Sequence, residues 1–592
     1  MKQFIKFMFA SALGTFIAVL LVITFFVALM VGTVMNMQEG EVGTVSIKPH
    51  SIVKISFKNT IKDRTPSNPF DGFNFATMEA NKPWGLNDIL KNIEKAEHDK
   101  NVDGIFLDME SVPAGAATLE EIRSKLEEFK KSGKFIVSYG NNYDQSGYYL
   151  ATVSDKIFLN PEGIILFKGL HAQLTFIKGL LDKLDIETQV VRGPDNKYKS
   201  AVEPLLYDKA SEPNKEQLNT MLDALWGKYL KVVSKSRHIS IDKLNAIADN
   251  LELSTAAVAR QNNFIDSAVY RDQVLDMLKK KSGDGELNFV SFAKYNNVAV
   301  AKKPVKSKDR IAIIYAEGDI TQGKSTPNTI GSASLAETIR KVRELNRVKA
   351  IVFRVNSPGG DAQASEIIRH ELALAAAKMP VIVSMGNYAA SGGYWISTPG
   401  KLIFAEESTV TGSIGVFGII PNMKGFFNNK LGITFDEVQT NKNADFIDVM
   451  KPMNELQEAK LNNSIKRIYN NFVTLVSKSR KLDKQYVDSI ARGRVWAGSD
   501  AIKVGLVDSI GGLERAINAA AREAGLGDKY KISEYPVAKD FFQALVEEMS
   551  GEVSTHIAKT QLGDYYKYYE RILKVESMQG VQARLPYFVD IN

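Results

Sequence analysis

No charged residue interrupts the chain from Phe7 to Met35, where Leu, Ile, Val, Phe and Ala dominate. This run exceeds the roughly 7–15 residues of a signal-peptide core and is long enough to span a bilayer. A cleaved signal is the competing reading, but no small-x-small site stands near Asn36. The pattern therefore predicts an uncleaved N-terminal transmembrane helix within residues 1–38. Lys2 and Lys6 precede it and Glu39 and Glu41 follow, which leaves the N-terminus in the cytoplasm and the bulk of the chain outside.

Beyond the anchor, short apolar runs alternate with amphipathic stretches. Ile52, Val53, Ile55 and Phe57 predict a strand, as do Ile351–Phe353 and Val381–Val383. Helical periodicity marks Leu119–Phe129, Leu218–Val233, Ile367–Ala377 and Leu456–Leu475. An offset of 246 lays VDGIFLDMESVPA (Val102–Ala114) on VKAIVFRVNSPGG (Val348–Gly360) and Lys134–Phe158 on Pro380–Phe404 without a gap. At a slightly shorter offset Phe264-Ile265-Asp266-Ser267 matches Leu506-Val507-Asp508-Ser509. Matches that keep order and spacing predict two copies of one α/β domain. The basic stretches Lys279–Gly285 and Lys302–Lys308 read as a linker, with the second copy starting near Arg310. The expected boundaries are 46–300 and 309–540. A helical tail is expected over 541–592, with Tyr565, Tyr566, Tyr568 and Tyr569 packed against a neighbour.

With 592 residues, more than one core is needed. There is no cysteine, so disulfides, thiolate metal sites and cysteine nucleophiles are excluded. The net charge of +7 is small for the length and the basic residues are scattered, which argues against nucleic-acid binding.

The candidate chemistry sits in VIVSMGNYAASGGYW (Val381–Trp395), where a strand runs into Ser391-Gly392-Gly393. A second strand ends in Ser357-Pro358-Gly359-Gly360. Two glycine-rich turns at the mouth of an α/β sheet expose backbone N–H groups of the kind that form an oxyanion hole, and Ser391 is the candidate nucleophile. Ser-Gly-Gly is also an ordinary turn sequence. The first copy has Gln145 in place of Ser391 and Pro113-Ala114 in place of Gly359-Gly360, so it lacks this apparatus. No histidine occurs between Ser391 and His556, and a triad through a distant histidine stays open. The alternative base is a lysine made neutral by burial. Lys199, in NKYKSAVEP, has small apolar neighbours; Ala444 or Asp445 takes its place in the second copy, with Lys442 nearby.

KYKSAVEP (Lys197–Pro204), VNSPGG, MGNYAASGGYWIS (Met385–Ser397), TGSIGV (Thr411–Val416) and GRVWAGSDAIKVGLVDSIGG (Gly493–Gly512) together resemble the long, two-domain form of the signal peptide peptidase A (protease IV) family. The resemblance covers nearly the whole chain. It implies a tandem pair of Clp-protease/crotonase-like α/β domains and a Ser/Lys dyad split between them. Ser391 would be the nucleophile and Lys199 the general base. Gly360 and Gly392 would supply the oxyanion hole, and Ser413 would orient the lysine, although a turn hydroxyl is the plainer reading of that serine. Implied substrates are released signal peptides and apolar unfolded peptides. Also implied are a homotetramer anchored in the bacterial inner membrane, catalytic domains on the periplasmic side, and no metal or nucleotide cofactor. A crotonase-like acyl-CoA enzyme and a membrane-anchored scaffold with an inactive site are the alternatives.

Overall fold

The computed structural model describes residues 46–537 except 67–72, 75–78, 81–82, 194–195, 284, 300–306 and 327, most of 3–25, and residues 580–585 and 590–591. In the first copy the main strands are β1 (Ser51–Ile55), β2 (Val102–Asp108), β3 (Phe135–Gly140), β4 (Lys156–Leu159), β5 (Glu187–Arg192), β6 (Ser267–Ala268) and β7 (Asn288–Ser291). Its main helices are α1 (Leu86–His98), α2 (Ala116–Lys130), α3 (Gln145–Ala151), α4 (Glu212–Arg237) and α5 (Arg271–Lys281). Of these, all but β5 form one parallel sheet, in the order β7-β1-β2-β3-β4-β6.

The second copy contributes β8 (Arg310–Glu317), β9 (Asp319–Thr321), β10 (Thr329–Gly331), β11 (Val348–Ser357), β12 (Gly359–Asp361), β13 (Val381–Ala390), β14 (Leu402–Ala405), β15 (Val410–Gly412), β16 (Phe417–Asn422), β17 (Val495–Ala497), β18 (Ser509–Ile510) and β19 (Lys531–Tyr535). A further strand, β20 (Gly580–Arg584), comes from the C-terminal segment. The helices are α6 (Ser332–Glu344), α7 (Ala362–Ala376), α8 (Gly392–Ser397), α9 (Glu455–Arg480) and α10 (Leu513–Glu523). The order β19-β8-β11-β13-β14-β18, again parallel, repeats the first sheet strand for strand.

The duplication extends to individual hydrogen bonds. Tyr394 Oη donates to the Leu506 carbonyl at 2.8 Å, as Tyr148 does to that of Phe264 at 2.9 Å. Asp508 accepts the Ile403 N–H and pairs with Arg480, as Asp266 accepts that of Ile157 and pairs with Arg237. Parallel strands covered on both faces need apolar residues throughout. In β11, Ile351, Phe353 and Val355 enter one core while Ala350 and Val352 enter the other, under Leu513, Ala516 and Ala520 of α10.

The two copies are joined by a third sheet, ordered β10-β9-β12-β20-β16-β5, in which β5 of the first copy pairs antiparallel with β16 of the second. They are also joined by a buried ion cluster. Arg354, fully buried, places Nη2 2.6 Å from Asp63 Oδ1 and 2.7 Å from Glu121 Oε1, both from the first copy.

Two expectations change. Lys279–Lys281 is not linker but the last turn of α5, where cations favour the helix C-terminus, and the chain then returns to the first sheet as β7. Of the second basic stretch, Lys302–Lys308, residues 302–306 lie outside the described residues. The tail is not helical throughout, because Gly580–Arg584 is a strand; its tyrosine cluster lies outside the described residues. The described residues from 3 to 25 are helical, and the apolar run beyond 25 is outside them. Among the described residues no helix is long and apolar enough to cross a membrane.

Candidate active site

Ser391 is the hinge between β13 and α8. Its backbone, at φ 55° and ψ −112°, is a conformation that costs a non-glycine residue on the order of 1–3 kcal/mol. The neighbours hold it there: the Ser391 N–H donates to the Gly412 carbonyl at 2.8 Å, and its carbonyl accepts the Trp395 N–H at 2.8 Å. Such a sharp strand-to-helix turn presents the hydroxyl at the end of the sheet and aims the first N–H groups of the helix the same way. Only small residues fit behind it, since a Cβ on Gly393 would lie 2.5 Å from the Ser357 carbonyl oxygen.

Lys199 reaches this point from the first copy. It sits in the turn before a short helical segment, Ser200–Val202. That turn is clamped by Gln217 of α4, whose amide donates to the Tyr198 carbonyl at 2.9 Å and to Ser200 Oγ at 3.0 Å. Gly493 passes so closely that a Cβ there would be 2.6 Å from Lys199 Cα, and its φ of 84° also favours glycine. Lys199 Nζ lies 2.8 Å from Ser391 Oγ and 3.0 Å from both the hydroxyl and the carbonyl oxygen of Ser413. All three residues are fully buried. Burial, with no carboxylate to offset it, pushes the Lys199 amine well below the ordinary lysine range.

Ser391, Lys199, Ser413 and Gly392 therefore converge. Gly360 lies one step away in β12, between Ile320 and Ala583. Its neighbour Gly359 comes nearer the helix start: a Cβ on it would be 2.7 Å from the Gly392 nitrogen. Gly359 was expected as part of the glycine turn, whereas Gly493 and Gln217 were not singled out from the sequence. Gly493 opens the stretch Gly493–Gly512, whereas Gln217 carries no sequence signal. Besides Lys199, Ser391 Oγ meets the Gly415 carbonyl at 3.4 Å. Lys442 is exposed in a turn, as is Ala444. In the first copy Gln145 is spent on structure, accepting the N–H groups of Lys168 and Gly169 and donating to the Gly169 carbonyl.

The chain matches the model of "Peptidase family S49" over residues 128–283 and again over 373–527, once in each copy. It is 38% identical to Protease 4 of Salmonella typhi over 481 residues, covering 79% of this chain and 76% of that protein. Protease 4 of Haemophilus influenzae is 37% identical over 449 residues, covering 73% and 72%. The chloroplastic serine protease SPPA of Arabidopsis thaliana is 33% identical over 500 residues, covering 82% and 71%.

Proposed function

Since the chain belongs to peptidase family S49 and is a serine peptidase, we propose that it is a membrane-anchored endopeptidase that cleaves released signal peptides and other apolar, unfolded peptides with a Ser391–Lys199 dyad. The observation that carries this reading is the 2.8 Å approach of a fully buried Lys199 amine to Ser391 Oγ. A neutral amine there accepts the hydroxyl proton as Oγ attacks the scissile carbonyl. The oxyanion is held by backbone N–H groups at the Gly359-Gly360 turn and at Gly392, an arrangement typically worth about 3–4 kcal/mol per donor. The protonated lysine gives its proton to the leaving amine. Water then enters, loses a proton to Lys199 and splits the acyl-enzyme. Ser413 fixes the amine through its two oxygens.

Supporting the anchor is the uncharged run from Phe7 to Met35, with the described part of residues 3–25 helical. A bilayer location suits a substrate that itself partitions into lipid. On this reading the two α/β units, 46–300 and 309–540, are of the Clp-protease type, stand on the periplasmic side of the inner membrane and assemble as a homotetramer. The test is cleavage of casein and a synthetic signal peptide by the full chain, Ser391→Ala and Lys199→Ala. Loss of cleavage in both variants is expected. Equal cleavage by all three chains sinks the dyad, and acyl-CoA turnover insensitive to Lys199→Ala favours a crotonase-like enzyme.

A further inference from the structure

The first copy keeps the frame of the nucleophile turn without its chemistry. A Cβ on Gly147 would lie 2.2 Å from the Glu110 carbonyl oxygen, as one on its counterpart Gly393 would lie 2.5 Å from that of Ser357. The donors are spent, however. The Ala114 N–H, at the place of Gly360, goes to the Val112 carbonyl at 2.8 Å. Asp144 Oδ1 caps the start of α3, accepting the Gly147 N–H and the Ser146 hydroxyl at 2.7 Å each. A cavity of about 780 Å³ nevertheless opens at this turn, lined by Pro113, Ala114 and Gln145. That is within the ~300–1,000 Å³ of ordinary ligand sites. Leu119, Leu166, Leu225 and Tyr229 give it apolar walls. Two cations, Lys168 and Lys228, and two carboxylates, Glu120 and Asp144, also line it, so no net charge selects an ionic ligand.

The second copy completes the cavity with Asn387, Tyr388 and Val410. Asn387 is fixed by α2: its Oδ1 accepts the Thr118 N–H at 3.1 Å and its amide donates to Thr118 Oγ1 at 2.9 Å. Tyr388 of β13 pairs with Val410 of β15, and two steps on Ala390 pairs with Gly412, beside Ser391 and Ser413. Leu225 and Val410 also belong to the apolar cluster that contains Ala390. The cavity wall is thus the strand pair that ends in the proposed dyad, with an unbroken apolar lining toward it. Tyr388 stands three residues before Ser391, about 10 Å at ~3.3 Å per residue.

We infer that this cavity is a non-catalytic exosite, in which the first copy holds an apolar stretch of the same extended peptide whose scissile bond lies at Ser391. The inference rests on the peptidase reading and deepens it, giving the copy without a nucleophile a part in choosing substrate. An apolar peptide fits because the walls are apolar, the charges cancel and the duplication makes this cavity the counterpart of the cleft at Ser391. A space of this volume is about 9 Å across, so its far side stands about 20 Å from Ser391, or roughly six residues of extended chain. Peptides that end within about three residues of the cut do not reach it. Longer apolar peptides gain the burial of at least one leucine-sized side chain, an advantage of about tenfold or more in affinity.

The experiment uses two synthetic peptides with the same residues about the cut, one of about six residues and one extended by apolar residues to about 20. Each is given to the full chain, to Ser111→Trp, which fills the cavity, and to Leu166→Asp, which places a charge in its wall. Ser111 and Leu166 both line the cavity and are exposed, so neither change disturbs the core. The long peptide is expected to have a KM about tenfold below that of the short one in the parent chain. Both variants are expected to remove that difference while leaving kcat and the KM of the short peptide unchanged. Equal KM for the two peptides in the parent, or variants that shift both peptides alike, overturns the exosite and leaves the peptidase reading standing. Anisotropy of the labelled long peptide on the Ser391→Ala chain reads binding without cleavage. Binding there that Ser111→Trp weakens about tenfold supports the exosite even if the parent chain cleaves neither peptide, a result that removes the peptidase reading alone. Binding indifferent to Ser111→Trp overturns the exosite.

Discussion

Replacing Lys199 by methionine is expected to abolish cleavage and yet stabilise the fold at neutral pH. A lysine of ordinary pKa, ~10.4, gives up its proton at pH 7 only at a cost of about 4–5 kcal/mol, at ~1.4 kcal/mol per unit. Lys199 is fully buried, no carboxylate among the described residues faces it, and burial lowers its pKa well below the ordinary value, so folding carries much of that cost. Methionine fills nearly the same volume without it. In a Ser391→Ala background the substitution leaves the Ser413 hydroxyl and carbonyl without their partner. These losses return roughly 1–3 kcal/mol. The net gain is then about 2 kcal/mol at pH 7. Its pH dependence is distinctive. The folded chain binds fewer protons at this position than the unfolded chain, so the stability of the parent rises with pH while the variant lacks that rise. The advantage of Lys199→Met must therefore shrink between pH 7 and pH 10, where the unfolded lysine is itself losing its proton. Urea unfolding at several pH values, in a Ser391→Ala background that prevents self-digestion, measures the difference. A variant that is destabilised by a constant amount across this range shows that the folded protein holds an ammonium, and refutes Lys199 as the base.

The activity of the parent should follow the same group: kcat/KM is expected to fall as pH is lowered through the pKa of Lys199, with a midpoint well below ~10.4. A midpoint near that of free lysine contradicts the burial argument. Gly359→Ala, whose methyl would lie 2.2 Å from the Ala583 carbonyl oxygen on a backbone at φ 102°, is expected to cost on the order of 10²–10³ in kcat together with a loss of Tm; full activity refutes the placement of the oxyanion. Arg354→Met strands two buried carboxylates and should destabilise by about 3–5 kcal/mol. Burial already raises Glu121 against the pull of that cation, so the deficit is expected to shrink from pH 7 to pH 5 as the carboxylate takes up a proton; thermal unfolding at the two pH values checks it. Gln145→Ser in the Ser391→Ala chain is expected to leave cleavage absent, since Pro113-Ala114 stands in place of the glycine turn and the stretch matching Lys199 is an exposed turn.

The parts of this fold that the sequence made legible are those in which local pattern and burial agree. The four amphipathic stretches lie in α2, α4, α7 and α9, and the register of the duplication survives as equal strand order and equivalent Tyr and Asp hydrogen bonds. Ser391 was legible because its turn needs glycines on the spot. Lys199 stands 192 positions from it in sequence, and its local context offered only small apolar neighbours. What makes it distinctive is the absence of a counter-charge, and that depends on which residues of the other copy close over it. The end of α5 was misread for a related reason: three lysines in a row look like a solvated linker until the helix that ends in them is seen to pack Val274 and Leu278 into the core.

The division of the site between copies bears on why so much charge is buried where they meet. Arg354 occupies the position of Asp108 in the first copy, and its partners Asp63 and Glu121 come from that copy. A buried ion cluster is weak evidence for stability, but one that spans two domains tolerates little sliding, because a displaced partner leaves an uncompensated charge. The proposed dyad needs just such a constraint. An approach of 2.8 Å between side chains of two domains is lost with a shift of 1 Å, and misplacement on that scale can cost ~10²-fold in rate. Strand β20 adds a third tie, since it bridges β12 to β16, which in turn carries β5 of the first copy.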